Sequence, residues 1–181
     1  MKIYRSVLAA LLLSVIAVLP ASAEDSEFSN YTIDLGVVVS DLEASLKFYK
    51  EAVGFTELPG FSVPGDYAKK VGLTDGKSLT IKVLVLGEGK TSTKLKLMQV
   101  EGADSKKSDN AYIHSQLGFS YLTIHVKSTE KALERLKKAG VETVAESPLL
   151  LPKPLPEGVG LTLVRDPDGN IVELVGPMGK K

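Results

Sequence analysis

The order strand, helix, strand, strand, strand runs twice along this chain of 181 residues, and few folds accommodate such a repeat. In the first unit Tyr31–Val39 is a β-branched apolar run that reads as a strand and stops at Ser40. Ser40-Asp41-Leu42-Glu43 fits a helix capping box, and Leu42, Ser45, Leu46, Tyr49 and Val53 recur at helical spacing until Gly54 ends the run. Phe55–Val63 has mixed patterning, and Pro64–Lys77 is a long connection with a short helix at Asp66–Val71. Leu79–Leu86 and Lys94–Val100 then read as strands around Gly87-Glu88-Gly89. After the polar stretch Gly102–Asn110 the order restarts. Tyr121–Val126 is a strand, and Ser128 and Thr129 cap a helix that runs through Ala139 and turns Ala132, Leu133 and Leu136 inward. Val141–Ser147 is the next expected strand, and Pro148–Gly158, with four prolines, reads as an irregular loop.

The second unit closes on the clearest local signal in the chain, LTLVRDPDGNIVELVGP at Leu161–Pro177. Asp166-Pro167-Asp168-Gly169 carries the chemistry of a tight turn: proline presets φ, aspartate bonds the local backbone, and glycine supplies positive φ. Leu161–Arg165 and Asn170–Val175 should therefore pair antiparallel. Period-two alternation puts Ile171, Glu173 and Val175 on one face and Val172 and Leu174 on the other. Glu173 thus sits among apolar neighbours, either as a surface residue on a half-wet sheet or as a buried group that needs a partner. Superposing the two units matches Asp34 with Tyr121 and Lys96 with Glu173.

Met1–Ala23 reads as a secretory leader rather than as part of the fold. Lys2 and Arg5 form a basic start, Val7–Val18 an apolar stretch, and Ala21-Ser22-Ala23 a small-residue cleavage site. The apolar run is short for a membrane span of ~20 residues, so cleavage before Glu24 is expected, leaving a periplasmic or secreted protein. Loss of Lys2 and Arg5 turns the balance of 22 basic and 22 acidic residues into a slight acid excess. No basic stripe exists to neutralise phosphates, which argues against nucleic-acid binding. The absence of cysteine excludes disulfides, thiolate metal sites and cysteine nucleophiles.

Two βαβββ units, the run DLGVVVSDLEASLKFYKEAVGF and the closing RDPDGNIVEL resemble the vicinal oxygen chelate superfamily, which contains glyoxalase I, extradiol dioxygenases, and bleomycin and fosfomycin resistance proteins. The resemblance spans nearly all of Tyr31–Pro177. It implies an α+β fold in which two modules, about 31–101 and 119–177 joined by a linker at 102–118, form a curved eight-stranded mixed sheet around a cavity. It also implies that the first and last strands of each module point side chains into that cavity, where metal-dependent members hold His, Glu, His and Glu or close variants.

Those four places fall on Asp34, Lys96, Tyr121 and Glu173, of which only Glu173 keeps the usual ligand. Lys96 offers donors and no acceptor, and Tyr121 is seldom a ligand. The chain has 2 histidines. His114 lies in the linker, and His125 stands four residues beyond Tyr121, so that Tyr121, Thr123 and His125 share the cavity face. The expectation is no metal and no other cofactor, with Lys96 within salt-bridge distance of Glu173 or Asp34. If the site is catalytic, Lys96 would hold an anion or enolate and Glu173 would move a proton.

Three function classes stay open. One is a binding protein that holds a small organic molecule in an apolar cavity, with contact area from Leu84, Met98 and the proline-rich loop. The second is a glyoxalase-type lyase or isomerase, or a dioxygenase. The third is a structural or partner-binding role, for which Leu149-Leu150-Leu151-Pro152 is the hint. No membrane partner is expected after leader cleavage, and pairing of two copies into a homodimer is left open.

Overall fold

The computed structural model describes residues 32–87 and 92–179. The expected leader, Tyr31 at the start of the first strand, and Glu88-Gly89 of the predicted turn lie outside the described residues. The first unit is β1 (Asp34–Val38), α1 (Leu42–Lys47) with a π-type continuation at Phe48–Val53, β2 (Thr56–Val63), α2 (Gly65–Lys70), β3 (Leu79–Val85) and β4 (Lys94–Val100). The second is β5 (Tyr121–His125), α3 (Thr129–Lys138), β6 (Leu149–Leu150), β7 (Val159–Arg165) and β8 (Ile171–Pro177). Hydrogen bonding divides the eight strands into two four-stranded mixed sheets, ordered β1-β4-β3-β2 and β5-β8-β7-β6. In each, the first strand pairs parallel to the last, and β1 and β5 are both edge strands.

α3 starts as expected at Ser128, but α1 is capped by Asp41, one residue past the Ser40 of the expected capping box, because Ser40 is engaged by Asp168. Asp41 accepts a hydrogen bond from the Ala44 N–H, and Ser128 accepts one from the Lys131 N–H. Gly54, at φ 99°, ends the first helix by donating to the Tyr49 carbonyl, a wide closure suited to the π-type turn before it. The inward face of α1 and its continuation buries Leu42, Leu46, Tyr49 and Val53, and α3 buries Ala132 and Leu136. These side chains meet Leu84, Leu95, Leu97, Ile124, Val172 and Leu174 in one apolar core shared by the two units. Val37 and Leu122 pack against it and Val39 and Ile124 are buried in it, so the expected register of β1 and β5 holds.

Among the described residues, three ties cross between the units. The Tyr49 hydroxyl donates to Asp166 at 2.9 Å in the interior. Arg135 on α3 donates to the carbonyls of Ala52 and Val53 at 2.8 and 2.9 Å, capping the first unit's helix. Ser40 donates its N–H to Asp168 at 3.0 Å, with its hydroxyl on the other carboxylate oxygen. The turn before β8 forms as its residues require. Asp166 accepts the N–H groups of Asp168 and Asn170, and Gly169 takes φ 91°.

Val141–Ser147 is not a strand. The Val141 N–H closes α3 on the Leu136 carbonyl, and Thr143 makes a single bridge to Val164. The chain then leaves β7 and rejoins it at Leu149–Leu150, inside the stretch expected to be irregular. Pro148 has no N–H to give a ladder, which explains why pairing resumes only beyond it.

Candidate functional site

Each sheet turns one face to the helices and leaves the other open. In-register pairing puts Lys96 beside Val83, Met98 beside Ile81, and Val100 beside Leu79 on the open face of the first sheet, which also carries Asp34 and Gly36. Part of this face is covered from within, because Ala68 of α2 is buried against Leu79, Ile81 and Val83. Met98 reaches across Gly36, where an added Cβ would meet its methyl at 2.9 Å. Leu84, expected to line the cavity, is instead fully buried on the helix side, one residue out of phase with Val83. In the second sheet Tyr121, Thr123 and His125 share the open face with Ile171, Glu173 and Val175.

The six expected site residues form two separate polar pairs with two exposed neighbours. Lys96 Nζ lies 2.8 Å from Asp34 Oδ2, both side chains about one-third exposed (31% and 34%). The Lys96 hydrogen bond holds the Asp34 carboxyl below its ordinary range; burial opposes this, and the charges of Lys96 and Lys94 reinforce it. In the other sheet the Thr123 hydroxyl donates to Glu173 Oε2 at 2.6 Å. Glu173 is half-buried, so the fully buried reading of that carboxylate does not hold, and its partner is a hydroxyl rather than Lys96. Tyr121 and His125 are exposed. His114 stacks on Tyr112 within the linker, ring centroids 5.6 Å apart.

Two crevices open where β1 and β5 face each other without pairing. The larger, about 540 Å³, is lined by Gly36 and Val38 of β1, Phe119 and Tyr121 of the second unit, and Lys106 and Ser108 of the linker. The smaller, about 400 Å³, takes in Leu35, Phe55, Leu122, Thr123 and His125. Asp34, Lys96 and Glu173 line neither.

A family-wide profile, the Glyoxalase/Bleomycin resistance protein/Dioxygenase superfamily, matches residues 31–174. The chain belongs to this superfamily. A glyoxalase family protein from Bacillus cereus is similar in fold, with a TM-score of 0.68 at 18% identity, over 86% of this chain and 98% of that one. The trypanothione-dependent glyoxalase I of Leishmania major is 26% identical, with a TM-score of 0.57, over 82% of this chain and 87% of that one. A glyoxylase/bleomycin resistance protein/dioxygenase domain from Frankia sp. matches at 22% identity and a TM-score of 0.51, over 84% of this chain and 93% of that one. A comparison with curated proteins returned no match.

The donor set of this superfamily member has its own chemistry. Among the described residues no group of three or more His, Asp or Glu side chains is disposed to hold a metal ion. Of the two carboxylates at the four family places, Asp34 is held by an ammonium and Glu173 accepts a hydroxyl proton. The set offers an anion or carbonyl oxygen two remaining Lys96 protons and offers a donor the free Glu173 oxygen. Phe119, Lys106 and the Tyr49–Asp166 tie escaped the sequence reading. One signal was there, since the alternation that found Tyr121, Thr123 and His125 runs back to Phe119.

Proposed function

We propose that the protein is an exported, metal-independent member of its superfamily that binds a small organic molecule on the open faces of its two sheets. The observation that carries this reading is the ion pair between Lys96 and Asp34 at two places where metal-dependent members carry ligands. A divalent ion there would meet an ammonium a few ångströms away. At an effective dielectric of ~20, a unit charge ~4 Å from a divalent ion costs roughly 8 kcal/mol, twice the single-charge value. The carboxylate that could offset this is already neutralised by the same lysine without dehydrating a metal. Lys96 would hold an anionic or carbonyl oxygen, Glu173 would accept a ligand hydroxyl or amine, and Tyr121 and His125 would border the ligand.

A second reading, a glyoxalase-type lyase or isomerase, draws support from the 26% identity to the Leishmania major enzyme. Proton transfer would then fall to Glu173, with Thr123 steadying it. Elemental analysis of wild type beside a Lys96→Glu, Tyr121→His double variant tests the metal-independent part. Metal is expected only in the variant, and stoichiometric metal in the wild type would overturn it. Native mass spectrometry of protein purified from its own compartment should reveal a bound organic mass, and Lys96→Met should lose it.

A further inference from the structure

The larger crevice between β1 and β5 carries features that the pairs at Lys96 and Glu173 do not explain. Phe119 is as exposed as an isolated residue, at 103%, and Tyr121 is 51% exposed, and both residues border the same 540 Å³ space. That volume lies in the ~300–1,000 Å³ range of small-molecule sites. Two aromatic side chains left uncovered beside a concave space offer a flat apolar body contact that the protein itself leaves unused.

The same space is bordered by a cation on an anchored linker. Lys106 makes no ion pair with a described residue. Ser108 and Ser120 bring hydroxyls to the same space. The linker that presents Lys106 is anchored a few residues on: Arg165 donates to the carbonyls of Asn110 and Ala111, and Asn110 donates to Asn170 at 3.1 Å. Asp168, which borders a neighbouring pocket together with Lys106, is engaged by Ser40 through both oxygens.

We infer that the crevice between the two sheets, bordered by Phe119, Tyr121 and Lys106, binds a flat, unsaturated organic anion of modest size. This rests on the reading that the protein binds a small organic molecule, and assigns a second place, apart from the pairs at Lys96 and Glu173, with its own chemical class. The rings would take the body of the ligand, and the Lys106 ammonium with the neighbouring hydroxyls would take its charged end.

The probe pair is 2-naphthoate and its neutral counterpart 2-naphthamide, titrated into the full mature chain by calorimetry. Wild type should bind the naphthoate one to one and at least about tenfold more tightly than the amide. Phe119→Ala, at a fully exposed position that leaves the core untouched, should weaken both about tenfold. Lys106→Met should weaken only the naphthoate and abolish the preference. Equal binding of the two probes by wild type, or unchanged naphthoate binding in both variants, overturns the assignment. Naphthoate binding lost in Lys96→Met but untouched in Phe119→Ala and Lys106→Met would overturn the crevice while sustaining ligand binding at the polar pairs. No binding of either probe, together with no organic mass carried by the native protein, would overturn both.

Discussion

Lys96 and Asp34 meet at 2.8 Å on a face open to water, so their contact governs protonation more than stability. Because the folded-state pKa of Asp34 lies below its ordinary value of 3.8, the pair's contribution is present above that value and fades as the pH falls through the folded pKa. NMR titration of the Asp34 side chain should therefore show a midpoint below the ordinary value in wild type and a rise in Lys96→Met. The accompanying loss of stability at neutral pH should stay under about 1 kcal/mol. A wild-type midpoint at or above the ordinary value would sink the pairing. Thr162 is the reverse case. Its hydroxyl is buried on the helix side of β7, 1% exposed and without a hydrogen-bond partner among the described residues. Thr162→Val removes an unsatisfied polar group while nearly keeping the shape. It should stabilise the protein by about 1 kcal/mol, read as a melting-temperature rise of about 2–4 °C. A fall would show that the hydroxyl has a partner.

Among the elements, the contact between α3 and the first unit's helix matters most. Arg135 satisfies two end-of-helix carbonyls, Ala52 and Val53, and puts its charge where the helix dipole favours a cation. Arg135→Met keeps much of the apolar stem and removes both bonds. Urea denaturation should show about 2 kcal/mol lost, with the midpoint lowered and the slope unchanged. An unaltered midpoint would mean that the cap contributes nothing. Helices and the inner strands were legible because caps and periodicity are local: Ser128 and Gly54 each declare themselves within a few residues, whereas Ser40 is drawn off by the distant Asp168 and leaves the cap to Asp41. Val141–Ser147 was misread because its β-branched residues favour a strand, while their pairing depended on β7 and on Pro148. Leu149 and Leu150, read as part of an irregular loop, stand 50% and 61% exposed on a short edge strand.

Over the whole molecule, the repeat, the two-module fold and the neighbourhood of Lys96 and Asp34 could be read from the chain. The separation of Lys96 from Glu173 could not. Superposing the units equates those residues but says nothing of the distance between two sheets whose facing edges, β1 and β5, do not pair. The crevice was hidden for the same reason, since its walls come from β1, the linker and Phe119, which are joined only by tertiary packing. Export belongs to this scale too. The proposed cleavage after Ala23 predicts an intact mass for the purified native protein that begins at or near Glu24. Recovery of Met1 would contradict export through a cleaved leader.

The ties between the two units carry an evolutionary consequence. Counted from their caps Asp41 and Ser128, Tyr49 and Leu136 hold the same place on their helices, as do Phe48 and Arg135. Each half therefore contributes a polar anchor that its sibling has replaced with an apolar side chain, Tyr49 reaching Asp166 and Arg135 reaching the carbonyls of Ala52 and Val53. Two copies of either half could not reproduce both bonds. Divergence of this kind works as a ratchet: once the siblings had specialised as lock and key, neither could be exchanged for a duplicate of the other, and the pair had to be inherited as one.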